Sequence, residues 1–274
     1  MTYRLDRKSP VAGSAPRLLR ALDRAAPCFT RPAVRRWAVT QTLELTRQLD
    51  SGTRFLDMHV AQAPGGSDRN LRFVHGVYTT ALVEDTLTEV SEWLELHPRE
   101  AVVVALRGFE GLTWQLHDYL AGCVRDIFAG ALCPRGAIPT LRQLWSRQQQ
   151  VLVSYEEADT VERHAWLWPA IPHWSRGRAG SRGLLGYLES MKDCGRPDGL
   201  FVADLHLTPT PVHMITRPTS SPDKTWHCAL PALTAWVRQQ HPGPELRCTN
   251  VIAGDFAGAG TFAADIIALN WKLL

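Results

Sequence analysis

The sequence has no long apolar run. Its longest extends only from Ala101 to Leu106, far short of the ~20 residues needed to cross a bilayer, so the chain is not expected to span a membrane. It has no block of five or six consecutive lysines or arginines, and 30 basic residues nearly balance 27 acidic ones to leave a net charge of +3. A nucleic-acid arm is therefore not expected. There is no CxxC and no Cys/His pairing at zinc spacing; Cys28, Cys123, Cys133, Cys194, Cys228 and Cys248 are scattered and read as reduced thiols of a cytoplasmic protein. The opening "MTYRLDRKSP" has no apolar stretch behind it, so no secretory signal is expected there. Internal repeats and low-complexity segments are lacking too. "GDFAGAGTF" lacks the full G-x-G-x-x-G pattern and reads as a turn, not a phosphate cradle.

What is present is enough for a large core. With 274 residues, 45% hydrophobic and 21% charged, the chain reads as one large domain or two small ones. Strand-like runs rich in Val, Ile, Leu and Phe fall at Arg54–Val60, Leu71–Gly76, Ala101–Arg107, Gln150–Tyr155, Leu200–Thr208 and Asn250–Phe256. Between them, apolar residues spaced by three and four predict helices over Ala38–Leu49, Ala81–Leu96, Leu112–Phe128, Gly183–Cys194, Leu230–Gln240 and Phe262–Leu273. This alternation predicts a parallel α/β architecture, for which a (β/α) barrel suits the length at least as well as an open sheet.

Strand parity then gathers polar groups. Side chains alternate across a strand, so Phe55, Asp57 and His59 share a face, as do Leu71, Phe73 and His75. The same count groups Val103, Ala105 and Arg107, then Val202, Asp204 and His206, then Val251, Ala253 and Asp255. Each set ends in a polar residue at the carboxyl end of an apolar face, where barrel enzymes assemble their sites. A single strand His or Asp is more often structural than catalytic; five strands with one pattern weigh against that. Histidines, acids and an arginine at one mouth supply proton transfer and a cation for an anionic substrate, the groups that phosphodiester chemistry needs.

Other features carry less. Trp166, Trp168 and Trp174 lie in "RHAWLWPAIPHWSRGRAGSRG" with histidines and arginines, which suits either packing or a lipid interface. Trp93, Trp145 and Trp236 sit in helical patterns and are expected in the core. "RLLRALDR", from Arg17 to Arg24, suits either a basic amphipathic helix lying on a membrane or, more simply, an ordinary surface helix with a solvated face.

The stretches "SGTRFLDMHV", "LRFVHGVYTT", "HPREAVVVALRGFE" and "TNVIAGDF", with "LCPRGAIPTLRQLWSRQQQVLVSYE" between them, closely resemble in order and spacing the X domain of phosphatidylinositol-specific phospholipase C, and most of all the small X-domain-containing proteins of animals. The resemblance spans essentially the whole chain. It implies a single X-type domain over residues 1–274 with an irregular (β/α) TIM-type barrel, and a phosphoric diester hydrolase acting on an inositol lipid, with peripheral contact to the membrane. In that family one histidine takes the proton from the inositol 2-hydroxyl, which attacks phosphorus, and another protonates the departing diacylglycerol oxygen. The resemblance makes His75 the second of these, the general acid. Asp255 corresponds to the acid that orients the first histidine, and Asp57 to the acid on the strand bearing the charge-stabilising group. Arg107, Asp204 and His206 fall among the substrate-binding positions.

Two departures from the family pattern stand out. The first histidine belongs to a Gly-Ser-His-Asp-Thr motif that in relatives immediately precedes a stretch like "MTYRLDRKSP", so this chain is expected to lack the general base and the first barrel strand. Asp255 would then lack its cationic partner. At His59, relatives carry an arginine or an acidic calcium ligand, and a histidine offers a cation only when protonated. Asp57 without a second acid gives too few oxygen ligands for calcium, unless Glu84 or Asp85 folds back into the mouth. No metal and no cofactor are expected. Two other functions stay open: a non-catalytic protein that binds inositol-phospholipid headgroups or a partner, and a glycerophosphodiesterase-like barrel, which would need paired acidic metal ligands. The oligomeric state is not legible.

Overall fold

The computed structural model describes residues 4–64, 69–175, 180–195, 197–207, 210–216 and 220–274. In chain order its first elements are α1 (Arg17–Ala25), α2 (Pro27–Ala38), α3 (Leu45–Asp50), β1 (Phe55–Gln62), β2 (Leu71–His75), β3 (Val77–Leu82) and α4 (Val83–Leu96). There follow β4 (Val102–Glu110), α5 (Trp114–Phe128), α6 (Leu141–Ser146), β5 (Val151–Tyr155), α7 (Ala158–Arg163), β6 (Leu167–Trp168) and β7 (His173–Trp174). The last are α8 (Ser181–Asp193), β8 (Val202–Asp204), α9 (Pro211–Thr216), α10 (Pro222–Gln239), β9 (Val251–Ala253) and α11 (Phe262–Ala268). No helix among the described residues is long and apolar enough to cross a membrane.

The chain divides into two compact units. The first holds Met1–Ala15, Glu44–Leu49 and Arg54–Ala170. Its sheet has the order β3-β2-β1-β4-β5-β6. β1, β4, β5 and β6 run parallel, joined by helical crossovers, as apolar strands flanked by helices must. β2 and β3 form an antiparallel hairpin beside β1. The face of β1 that carries Leu56, Met58 and Val60 is buried with Leu87, Val90 and Trp93 of α4 and Leu120 and Val124 of α5. That burial, at roughly 25 cal/mol per Å2 of apolar surface, fixes which residues of β1 point the other way. Those residues are Phe55, Asp57 and His59.

The second unit holds Pro16–Leu43, Asp50–Thr53 and Ile171–Leu274. Its parallel sheet β7-β8-β9 packs with Leu184 and Leu188 of α8 and Trp226, Leu233 and Val237 of α10.

Several expectations change. The helix expected over Ala38–Leu49 is split: α2 ends at Ala38 and α3 starts only at Leu45, because the intervening "VTQT" is rich in β-branched and turn-forming residues. The residues expected to open the α4 helix belong instead to β3, which Gly76 at φ +70° turns back from β2. α10 starts at Pro222, with Ser221 accepting from the Lys224 amide at 3.3 Å, and runs through Pro231. Trp145 is 45% exposed, with its indole N–H on the Arg99 carbonyl at 2.8 Å, whereas Trp93 and Trp236 are buried as expected. Of the loop tryptophans, Trp174 is buried, and the indole N–H groups of Trp166 and Trp168 donate to the Ala121 and Cys133 carbonyls at 3.2 and 2.8 Å; all three pack. Residues 176–179 of that loop, and Thr208 of the strand expected to end there, lie outside the described residues. Arg17–Ala25 is a surface helix with Leu19 buried and Leu18 exposed. All six cysteine thiols are free.

Candidate active site

In the first unit, the β1–β4 register places Asp57 opposite Ala105 and His59 opposite Arg107. The arginine reaches back along the sheet to the carboxylate, its Nε donating to Asp57 Oδ1 and its Nη2 to Oδ2, both at 2.6 Å. This fork-to-fork geometry is the strongest that a guanidinium and a carboxylate can adopt. His59 Nε2 stands 3.8 Å from Asp57 Oδ1, close enough to feel its charge but beyond hydrogen-bond distance.

Past His59 the register slips before Ala61 pairs with Glu110. Gly108 sits in the slip at φ +59°, and the His59 ring lies directly over it: a Cβ there would come 2.9 Å from Cγ and 3.0 Å from Nδ1. The Gly108 amide donates to Glu156 at 2.5 Å, which fixes the bulge from the end of β5. His75 ends β2, exposed, with its ring centroid 6.4 Å from that of His59 and the planes tilted by 44°.

One expectation is corrected by this geometry. β2 runs antiparallel to β1, so His75 does not end a strand parallel to those bearing Asp57 and Arg107. Past the Val60–Phe73 pair, β2 doubles back toward the start of β1, and the turn at Gly76 follows His75 at once. Glu84 and Asp85 lie in the first turn of α4, where Glu84 accepts from the Tyr119 hydroxyl at 3.1 Å. Among the described residues no group of three or more His, Cys, Asp or Glu side chains is arranged to hold a metal ion.

In the second unit, β8 and β9 pair Asp204 with Ala253. Two residues further on, the same parity sets His206 beside Asp255. His206 Nδ1 faces Asp204 Oδ1, its backbone amide donates to that oxygen at 2.9 Å, and its Nε2 lies 3.0 Å from Asp255 Oδ1. His173 of β7 stands 3.9 Å from Asp204 Oδ2.

A ring with a carboxylate at each nitrogen is held as imidazolium. Burial alone would push His206 toward neutrality, but the charges of Asp255 and Asp204 outweigh it and raise its pKa well above the ordinary value. Burial also acts to raise Asp204, and the His206 charge with hydrogen bonds from His173 and His206 overcomes it, holding the carboxyl well below the usual carboxylate range. Asp255 therefore has a cationic partner within the chain, contrary to the expectation from sequence.

Asp57, His59, His75 and Arg107 thus form one cluster, and Asp204, His206 and Asp255 another. Sequence reasoning missed His173, Gly108 and Glu156. His173 was hidden in a tryptophan-rich loop. The glycine and glutamate serve through backbone geometry, which leaves no periodic signal.

The fold places the chain in a class. It superposes on a phosphatidylinositol-specific phospholipase C from Staphylococcus aureus with a TM-score of 0.64, 14% identity and 86% of each chain covered. The phosphatidylinositol-specific phospholipase C from Listeria monocytogenes gives 0.62 at 16% identity, over 86% of this chain and 85% of that one. The α/β fold of those TIM-barrel enzymes is the class expected from sequence, with the described strands in two sheets and no closed ring among them.

Sequence likeness goes further. PI-PLC X domain-containing protein 1 of Homo sapiens is 57% identical over 274 residues, all of this chain and 85% of the human protein. Its Mus musculus counterpart is 53% identical over all of this chain and 79% of the mouse protein. PI-PLC X domain-containing protein 3 of Danio rerio is 31% identical over 99% of this chain and 85% of that protein. The chain belongs to the family of PI-PLC X domain-containing proteins. No family model matches it.

Proposed function

We propose that the protein is a phosphoric diester hydrolase of the phosphatidylinositol-specific phospholipase C type, a single X-type domain acting in the cytoplasm on an inositol lipid at the membrane surface. The observation that carries this reading is the first cluster: His75, the general acid by resemblance, beside His59 and the Arg107–Asp57 pair. Such a set supplies a proton donor and a fixed cation to a phosphodiester. No metal and no cofactor take part in the reading. Arg107, Asp204 and His206 are assigned to substrate binding, and Asp255 to orienting an imidazole.

A second reading rests on one specific observation: Arg107 presents a guanidinium fixed on Asp57 through two hydrogen bonds, which can hold a phosphate without turning it over. A protein that binds inositol-phospholipid headgroups without turnover would need the pocket alone.

Diacylglycerol release from phosphatidylinositol vesicles decides between the two. The enzymatic reading expects release that falls ~10²–10⁴-fold on His75→Ala, the usual effect of removing a general acid. Vesicle binding that requires the inositol headgroup, with no release by the wild-type chain, would establish the second reading instead.

A further inference from the structure

We propose that the surface formed by α6 and the end of α4, within the first unit, docks on an anionic bilayer at the end of the sheet away from Arg107. The inference goes beyond the phosphodiesterase reading and does not depend on it, because the lipid contact falls on residues outside the cluster.

The apolar part of this surface is a stripe. Ile138, Leu141 and Trp145 succeed one another at three and four residues and are 45%, 54% and 45% exposed, while Leu144 beside them is buried and faces inward. Leu96, the last residue of α4, is 79% exposed. The two elements are tied together. The Trp145 indole N–H donates to the Arg99 carbonyl at 2.8 Å, and the Gln150 side-chain amide donates to the His97 and Glu100 carbonyls, both at 2.9 Å. Single exposed apolar side chains are ordinary, whereas several gathered on joined elements mark a contact surface.

Charge says what kind of contact. Between Asp126 and Glu156 the chain carries no acidic residue but three arginines, Arg135, Arg142 and Arg147, all exposed. Arg99 joins them from the α4 side, where Glu92 and Glu95 are the exposed acids. The ion pairs among the described residues of this unit engage other arginines, such as Arg54, Arg125 and Arg163, and none of them takes Arg99, Arg142 or Arg147. Tryptophan and leucine settle at the headgroup boundary and arginine binds anionic headgroups. A protein partner would need an acid placed against each guanidinium; an anionic bilayer supplies one wherever the arginines fall.

The location gives the contact its meaning. α4 and α6 lead into β4 and β5, so the surface lies at the amino ends of those strands. Arg107 stands five residues beyond Val102 along β4, ~17 Å at ~3.3 Å per residue. Lipid docked on α6 is therefore not the lipid presented to the cluster, and the contact holds the chain on a membrane while leaving the cluster open.

Sedimentation with phosphatidylcholine vesicles containing about 30% phosphatidylserine, an anionic lipid, tests this without any inositol lipid present. The wild-type chain should sediment with them. Leu141→Glu and Arg142→Glu, both at exposed positions, should each weaken binding ~10-fold or more with the urea midpoint unchanged, whereas Arg24→Glu on α1 should change it less than ~2-fold. Amide hydrogen exchange of the wild-type chain, which needs no variant, should slow over residues 138–147 when vesicles are added. No sedimentation, equal sedimentation with phosphatidylcholine alone, a larger loss from Arg24→Glu than from Leu141→Glu, or unchanged exchange over 138–147 in the bound chain would each overturn the proposal. Self-association abolished by Leu141→Glu, without vesicle binding, would overturn it in favour of a second copy on this face. None of these results touches the phosphodiesterase reading, which the release of diacylglycerol decides.

Discussion

His206 and Asp255 stand side by side beyond the ends of β8 and β9, with imidazole Nε2 3.0 Å from carboxylate Oδ1. Asp204 holds the other ring nitrogen, so the imidazolium is clamped between two acids, and stability should depend on pH in a definite direction. The His206 pKa is raised above 6.5 in the folded state, so its contribution is complete below 6.5 and lost as pH rises through the higher folded value. The Asp204 pKa is lowered below 3.8, so its contribution is complete above 3.8 and lost as pH falls through the lower folded value. Urea midpoints measured across pH should therefore plateau between these limits, and His206→Asn should flatten the alkaline decline. An unchanged alkaline limb in the variant would show that the clamp does not set it.

Gly254 precedes Asp255 and lies under two rings. A Cβ there would come 2.6 Å from Trp226 Cη2 and 2.9 Å from Phe262 Cζ. Gly254→Ala should cost ~1–3 kcal/mol through overpacking, since both rings belong to the buried core of the second unit. Thermal unfolding with a transition equal to that of wild type would mean that the rings give way freely.

Glu110 ties the amino-terminal segment to the end of β4. Its carboxylate accepts from the Gly13 and Ser14 amides at 2.8 and 2.9 Å and from the Tyr78 hydroxyl. Burial acts to raise its pKa, and the hydrogen bonds from Tyr78, Ser14 and Gly13 prevail and lower it. Glu110→Ala leaves three donors without this acceptor and should cost ~1–3 kcal/mol. Amide hydrogen exchange at Gly13 and Ser14 should speed up well before the rest of the chain responds; equal protection in the variant would contradict the tether.

Arg107→Lys tests the forked grip on Asp57. An ammonium cannot reproduce two parallel donors, so the substitution should cost ~1–2 kcal/mol in urea unfolding and lower phosphodiester cleavage at least ~10-fold by loosening the cluster. A lysine variant with full stability and activity would reduce the pair to a simple charge contact.

The strands that carry these groups were legible because burial enforces period two on them. β1 alternates Leu56, Met58 and Val60 with Asp57 and His59, and the structure keeps that parity throughout. β3 was not legible because "VYTTAL" runs straight into the helical pattern of α4, and only Gly76 marks the reversal. With β3 hidden, β2 read as one more parallel strand. The helix break after Ala38 is masked in the sequence for a related reason: three-and-four spacing persists through "VTQTLELT" although its β-branched residues favour extended backbone. The clamp on His206 could be read only in part. Parity put Asp204 and His206 on one face and Asp255 at the end of another strand, but β8–β9 pairing, which makes them neighbours, is a tertiary fact. Gly108 and Glu156 were invisible because their partners are a backbone amide and the space beneath a ring.

Under the proposed function, the cluster of Asp57, His59, His75 and Arg107 serves intramolecular attack of an inositol hydroxyl on a lipid phosphodiester. Phosphorus NMR of phosphatidylinositol vesicles treated with the 274-residue chain, with a chelator present, observes that step directly. The expected result is loss of the lipid phosphodiester signal with the appearance of a cyclic inositol phosphate before any monoester, slowed ~10²–10⁴-fold by His75→Ala. Persistence of the lipid signal, or formation of phosphatidate in its place, would contradict the account.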